Sequence, residues 1–157
     1  MENEHASVIK MWEDYLFSIG EDIEDTNKSY TSWYFCSDKE SADNLAKLVL
    51  QGTKRGTASL YDIYDIDDEE LPKVYDYSII TNWDGAAQCI IRIKKIIILP
   101  FKDVNEEMAE IEGEGDKSLE YWRRVHIDFF EKELEEYNMK FSKDMPVVFE
   151  EFEVVYK

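Results

Sequence analysis

Asp84-Gly85 stands between two apolar runs, "DYSIITNW" at 76–83 and "AAQCIIRIKKIIIL" at 86–99, and this leaves the chain few options. An Asp-Gly pair supplies the positive φ that a tight turn needs. The isoleucines, tyrosine and threonine around it fit pleated, half-buried strands. The spacing predicts an antiparallel hairpin, and its second strand is long enough to bend between two parts of a barrel.

Helical signals lie on either side of that hairpin. Val8, Met11, Trp12, Tyr15 and Ile19 recur at helical spacing and Gly20 closes the segment, so a helix is expected over about 5–19. "EDIEDTNKS" reads as an acidic loop and "YTSWYFC" at 30–36 as a strand. Ser37 is the expected N-cap of a helix that turns Ala42, Leu45, Ala46 and Val49 inward, with Gly52 at its C-terminal end. A short strand follows near 56–61, then the acidic loop "DIYDIDDEELPK". Asp103 is expected to cap a short helix. After "EGEGD" at 112–116, Asp116 is expected to cap a longer one with Leu119, Trp122, His126 and Phe129 on its apolar face. "VVFEEFEVVYK" closes the chain as a strand. Strands separated by helices around a central hairpin imply an α+β fold: a small, mostly antiparallel β-barrel of about five to six strands with helices packed outside. No internal repeat or long linker divides residues 1–157, so one domain is expected.

The 36 acids against 18 bases give a net charge of −18, which removes long-range attraction to polyphosphate and argues against duplex DNA as a partner. The bases are clustered, however, at Lys54-Arg55, at Arg92, Lys94 and Lys95, and at Arg123-Arg124. A local cationic pocket suits a small anionic ligand or a short single strand. Solvated bases paired with abundant acids would give the same composition. No apolar run is long enough for a membrane span, and the acidic N-terminus does not suit a secretory signal. Cys36 and Cys89 have no CxxC spacing, so free thiols in a reducing cytoplasm are expected. No ligand cluster has metal-site spacing, and no cofactor is implied.

Chemistry concentrates in "GTKRGTASL" at 52–60, where Lys54, Arg55, Thr57 and Ser59 gather between small residues. A lysine desolvated in a barrel mouth can act as a base, and a nearby threonine hydroxyl as a nucleophile. The same residues also fit a plainer role, a basic pair complementing a helix C-terminus and an ordinary strand threonine. The glycines of "EGEGD" bring Glu112 and Glu114 into tight positions, and a carboxylate there can shuttle protons or receive a sugar hydroxyl. His126, between Trp122 and Phe129, reads as a hydrogen-bonded core histidine. Trp33 is a candidate base-stacking surface.

"TSWYFC", "GTKRGTASL", "ELPKVYDYSIITNWDGAAQCII", "EGEGDKSLEYWRRVHIDFF" and "VVFEEFEVVY", in this order, resemble the ASCH domain family of PUA-like β-barrel proteins. The resemblance covers the chain from about residue 30 and fits a bacterial subgroup that carries a preceding helix. It implies a cleft for RNA or a nucleotide-like ligand with the G-x-K-x-x-T segment on its floor. Some small bacterial members are amidohydrolases that remove an acyl group from N(4)-acetylcytidine, and another is a ribonuclease. Carried over, the amidohydrolase residues fall on Lys54, Thr57 and Glu112. In that reading neutral Lys54 takes the proton of Thr57, Thr57 attacks the amide carbonyl, and Glu112 passes a proton to the leaving amine. In a binding module, Lys54, Arg55 and Arg92 would hold phosphate, with Ser59 and Trp33 as further ligand contacts. Two positions depart from the subgroup: Gly56 stands where alanine is usual, and Tyr75 occupies a turn position where glycine is usual.

Overall fold

A computed structural model describes residues 4–157. Helix α1 (Ala6–Ser18) starts at His5, whose side chain accepts from the Ser7 N–H, and buries Val8, Trp12, Tyr15 and Leu16 along one stripe. Strand β1 spans Tyr30–Trp33, shorter than the expected 30–36, because the chain leaves the extended region before Cys36 takes a left-handed φ of 64°. Helix α2 (Lys39–Leu50) buries Ala42, Leu45, Ala46 and Val49 as expected. Its cap is Asp38 rather than Ser37: Asp38 Oδ1 accepts from Ser41 N at 2.8 Å. Strand β2 runs Gly56–Leu60. The segment expected as an acidic loop opens instead with helix α3 (Tyr61–Ile66), a six-residue helix with no buried residue.

Strands β3 (Tyr77–Thr81) and β4 (Ala87–Pro100) pair antiparallel, so the hairpin is present. Its connection is five residues, 82–86: Asn82 N donates to Ala86 O, the Asn82 side chain accepts from Ala86 N, and Gly85 takes φ 87°. A single 3-10 turn at Phe101–Asp103 precedes helix α4 (Glu106–Glu112). The cap of α4 is Asn105, which accepts from Met108 N at 2.9 Å, not Asp103, which lies inside the turn. Helix α5 (Leu119–Glu135) is capped by Ser118, while Asp116 accepts from Ser118 N one step earlier. Strand β5 spans Pro146–Tyr156.

The five strands form one mixed sheet in the order β1-β3-β4-β5-β2, parallel between β1 and β3 and antiparallel in the β3–β4 and β5–β2 pairs. The fold is α+β with five strands and helices packed around them, as expected. The chain forms two compact units interleaved in sequence. In the first (up to Gly52, Val74–Lys94 and Phe152–Lys157), α1 packs on Ile79 and Ile90, and α2 on Ile80, Cys89, Ile91 and Phe152. In the second (Thr53–Lys73 and Lys95–Glu151), the core gathers Leu60, Phe101, Met108, Trp122, Phe130, Leu134, Val147 and Phe149. Among the described residues no helix is long and apolar enough to cross a membrane.

Tyr75, at the position where glycine is usual, takes a φ of 76° with its N–H donating to Ile93 O at 2.9 Å. The departure from glycine therefore falls on a left-handed turn residue. Gly56 is packed tightly. A Cβ there would lie 2.8 Å from an Ile111 methyl and 3.1 Å from Glu150 O, so an alanine would need its neighbours to shift.

Candidate functional site

The chain leaves α2, reverses at Gly52 (φ 79°) and reaches β2 at Gly56, which carries Lys54 into the interior of the second unit. Lys54 is only 2% exposed. Its ammonium donates to Gly56 O at 2.8 Å, to Glu114 Oε2 at 3.0 Å and to Glu112 O at 3.5 Å, and lies 3.5 Å from Glu112 Oε1. Oxygens crowd this nitrogen, and the ammonium offers its three N–H donors to them. The end of α4 is locked onto this segment by backbone contacts. Arg55 N donates to Ile111 O at 2.7 Å, and Gly113 (φ 67°) passes so close that a Cβ would sit 2.1 Å from Thr53 O. Only glycine combines that φ with that approach. Residues far apart in sequence are thereby held in one cluster.

Glu112, the last residue of α4, is the hub and is 1% exposed. Its Oε2 accepts a short bond from Trp122 Nε1, and its Oε1 lies 3.4 Å from His126 Nε2 as well as facing Lys54. Burial is the largest single influence on the carboxyl and opposes ionisation. The His126 and Lys54 charges, with the bonds from His126 and Trp122, together outweigh it and hold the pKa below the ordinary 4.5. His126 stacks on Trp122 with ring centroids 4.1 Å apart, and its Nδ1–H donates to Trp122 O at 2.8 Å. Burial again disfavours the charged form most strongly. The Glu112 carboxylate and its bond, then Glu114 and the Trp122 carbonyl, together raise the imidazole above its ordinary 6.5. Both directions describe one ion pair. His126 is thus a core histidine, as its sequence context suggests, and also an electrostatic partner of Glu112.

The other candidate residues are spread more widely. Side chains alternate along β2: Ala58 and Leu60 join the apolar core, so Thr57 and Ser59 point to the opposite face. Thr57 is half-buried and stands opposite Glu150 in the β5 register. Ser59 Oγ and Tyr64 OH are hydrogen-bonded at 2.8 Å, which ties Ser59 to α3. Arg55 is exposed. Trp33 and Arg92 belong to the first unit. Trp33 packs edge-on against Phe35 and, with Tyr34 and Trp83, lines an open cavity of about 600 Å3. Arg92 pairs with Glu153 at 2.7 Å and lies over the Tyr75 ring, 5.5 Å from its centroid.

Sequence reasoning placed Glu114 in a tight loop but did not join it to Lys54, and it did not see the Trp122 bond at all. The i, i+4 spacing of Trp122 and His126 was the available signal, because both then face α4 from one side of α5. Glu112, Glu114 and His126 also offer ligand atoms within 4.8 Å of one another, a donor set that sequence spacing does not reveal. The Lys54 ammonium already faces both carboxylates, at 3.5 and 3.0 Å, and a divalent ion would have to displace it.

A family model, the ASCH domain, matches residues 31–156. The chain belongs to the ASCH domain family. The ASCH domain from Lactobacillus crispatus JV V101 has a similar crystal structure, with a TM-score of 0.92 and 36% identity, covering 100% of this chain and 99% of that one. A crystallised protein from Enterococcus faecalis V583 has a TM-score of 0.85 and 33% identity, covering 96% of this chain and 88% of its own. No curated protein matches this chain. This ASCH chain thus has bacterial relatives that share its PUA-like α+β fold over nearly the full length.

Proposed function

We propose that this ASCH domain binds a nucleoside-like ligand beside segment 52–60 and hydrolyses an N-acyl amide on it, with Lys54, Thr57 and Glu112 as catalytic residues. The observation that supports this reading is the buried Lys54–Glu112 pair at 3.5 Å. A lysine whose task was to clamp phosphate would be presented to solvent, whereas Lys54 is 2% exposed and faces carboxylates. Among the segment's bases, exposed Arg55 is the better placed for a ligand phosphate. A reducing cytoplasm is the setting that suits a chain whose two cysteines, Cys36 and Cys89, lack CxxC spacing.

The reaction starts from an ammonium and a carboxylate. Transfer of one proton from Lys54 to Glu112 yields an amine and a carboxylic acid, a neutral pair that a dry site tolerates. The next step requires substrate binding to bring Thr57 Oγ within hydrogen-bond reach of Lys54, whose amine then takes the hydroxyl proton as Thr57 Oγ bonds to the acyl carbon. The C–N bond then breaks as the Glu112 acid gives its proton to the departing amine. This restores the ammonium and carboxylate and leaves an acyl ester on Thr57. Glu112 then takes a proton from water, whose oxygen attacks the ester, and the returned proton frees the Thr57 hydroxyl.

The test is hydrolysis of N(4)-acetylcytidine and other N-acylated nucleosides by wild type, Lys54→Ala and Thr57→Val. Turnover in wild type and its loss by roughly 100-fold or more in each folded variant is expected, in line with removal of a general base in one and of the nucleophile in the other. Binding without turnover in wild type would identify a binding module. Cleavage of an RNA oligonucleotide but not its 2′-deoxy counterpart would identify a ribonuclease instead.

A further inference from the structure

The second unit carries another concentration of positive charge. Lys102, Arg123, Arg124 and Lys143 line an open cavity of about 580 Å3 whose remaining wall is Phe101 and Ile127. All four bases are exposed. In a chain with twice as many acids as bases, a groove lined, among the described residues, by four bases and no acid reverses the bulk composition. The overall negative charge does not cancel it, because screening at physiological salt confines fields to about 8 Å.

Three elements assemble the groove. On α5, Arg123 and Ile127 stand one turn apart, with Arg124 beside them. The 3-10 turn supplies Phe101 and Lys102, and the loop before β5 supplies Lys143. Backbone bonds from Lys102 N to Lys143 O at 3.0 Å and from Phe101 N to Met145 O at 2.8 Å hold turn and loop together. Arg123 Nη2 donates to Lys102 O at 3.5 Å, and the Arg124 guanidinium lies 5.5 Å from the centre of the Tyr121 ring. Lys102 pairs with Asp144 at 2.7 Å, but both are largely exposed, and a pair of that kind yields readily to a stronger anion.

We propose that this groove is a second ligand site, for a small molecule that carries a phosphate or diphosphate on an apolar body. Two guanidinium forks match phosphate oxygens in a bidentate way that a single ammonium cannot. The two lysines add charge for a di- or trianion. The Phe101–Ile127 wall takes the uncharged body, and the volume falls in the range of small-molecule sites. The site is separate from Lys54, which is buried and committed to Glu112 and Glu114. It stands independently of the amidohydrolase reading.

Calorimetric titration tests it with inorganic pyrophosphate, adenosine 5′-diphosphate and adenosine. The proteins are wild type, the double variant Arg123→Gln/Arg124→Gln, and a charge-matched control, Lys94→Gln/Lys95→Gln, at another exposed basic pair. Wild type should bind both phosphates one-to-one, the nucleotide more tightly, and adenosine not at all. The arginine variant should lose at least tenfold in affinity and the control less than twofold. No binding to wild type, or equal losses in the two variants, overturns the site. Pyrophosphate binding as tightly as the nucleotide overturns the apolar-body placement. A 5′-phosphorylated trinucleotide binding more tightly than the diphosphate overturns a free small molecule in favour of a strand end.

Discussion

In the unit built from residues up to Gly52, Val74–Lys94 and Phe152–Lys157, the interior is Trp12, Leu16, Val49, Ile79, Ile80, Cys89 and their apolar neighbours. Its buried polar side chain among the described residues is Thr81. The other unit has an apolar core of similar kind around Phe101, Phe130 and Leu134, and also buries Lys54, Glu112 and His126. Desolvating each ion costs several kcal/mol, and apolar residues of similar volume are often neutral or stabilising in its place. Packing accounts for the first interior. It does not account for the second, where the fold retains ions despite their cost. A buried ion cluster is a form that chemical sites often take, because charges shift one another's proton affinities most strongly where water is excluded.

The largest expected effect breaks this difference at its centre. Lys54→Met leaves the Glu112 carboxylate facing His126 and Trp122 alone, and Glu112→Leu leaves the Lys54 ammonium with Glu114 and carbonyls. Each single change should cost about 3–5 kcal/mol in denaturant unfolding. The double variant should be less destabilised than the sum of the two by more than about 1 kcal/mol, because it strands neither charge. Additive losses would mean that the two groups do not act as a pair.

The pH dependence sharpens the same contrast and separates the two interiors. His126 has its pKa raised above 6.5, so its contribution is complete below pH 6.5 and is lost as pH climbs through the folded value. Glu112 has its pKa lowered below 4.5, so its contribution is complete above pH 4.5 and is lost as pH falls through the folded value. Both are complete between 4.5 and 6.5. Exposed carboxyls such as Asp38 and Asp116 are also lowered and share the acidic limb, which makes the alkaline limb the diagnostic one. His126→Gln should flatten the fall in stability above pH 6.5. Ile90→Ala, in the other interior, should lower stability by about 2–5 kcal/mol while leaving the shape of the profile unchanged. A His126→Gln profile that keeps its alkaline limb would remove His126 from the charge cluster.

How far these features were legible depends on what encodes them. Periodicity carries α1 and the buried face of α2, whose apolar residues repeat at helical spacing, whereas the hairpin strands are carried by Asp84-Gly85 between two runs of β-favouring residues that are buried consecutively rather than in alternation. Caps are less legible. Ser37 and Asp38, Asp103 and Asn105, and Asp116 and Ser118 offer the same chemistry one or two residues apart, and only backbone geometry selects between them. Helix α3 was hidden because "YDIYDI" is rich in aspartate and buries nothing that periodicity could register. Lys54 and Glu112 were joined by resemblance alone, since no local pattern links residues 58 positions apart. Lys102 and Lys143 went unseen beside Arg123-Arg124 because the pairing of a turn with a loop brings them together.

The smallest expected effect concerns where the first unit stores its cost, which is in a surface turn instead of its interior. Tyr75 is 67% exposed with φ at 76°, a conformation that disfavours a side chain by roughly 1–2 kcal/mol. Tyr75→Gly relieves that strain. It gives up the contact with Arg92, worth about 0.5–1 kcal/mol at an exposed site, and adds the conformational freedom of glycine to the unfolded chain. Tyr75→Ala loses the same contact and keeps the strain. Glycine should therefore be more stable than alanine here by about 1 kcal/mol, the reverse of their order in a helix or strand, with neither moving the pH profile. Equal stability in the two variants would show that the turn relaxes to negative φ, and the cost assigned to Tyr75 would then be absent.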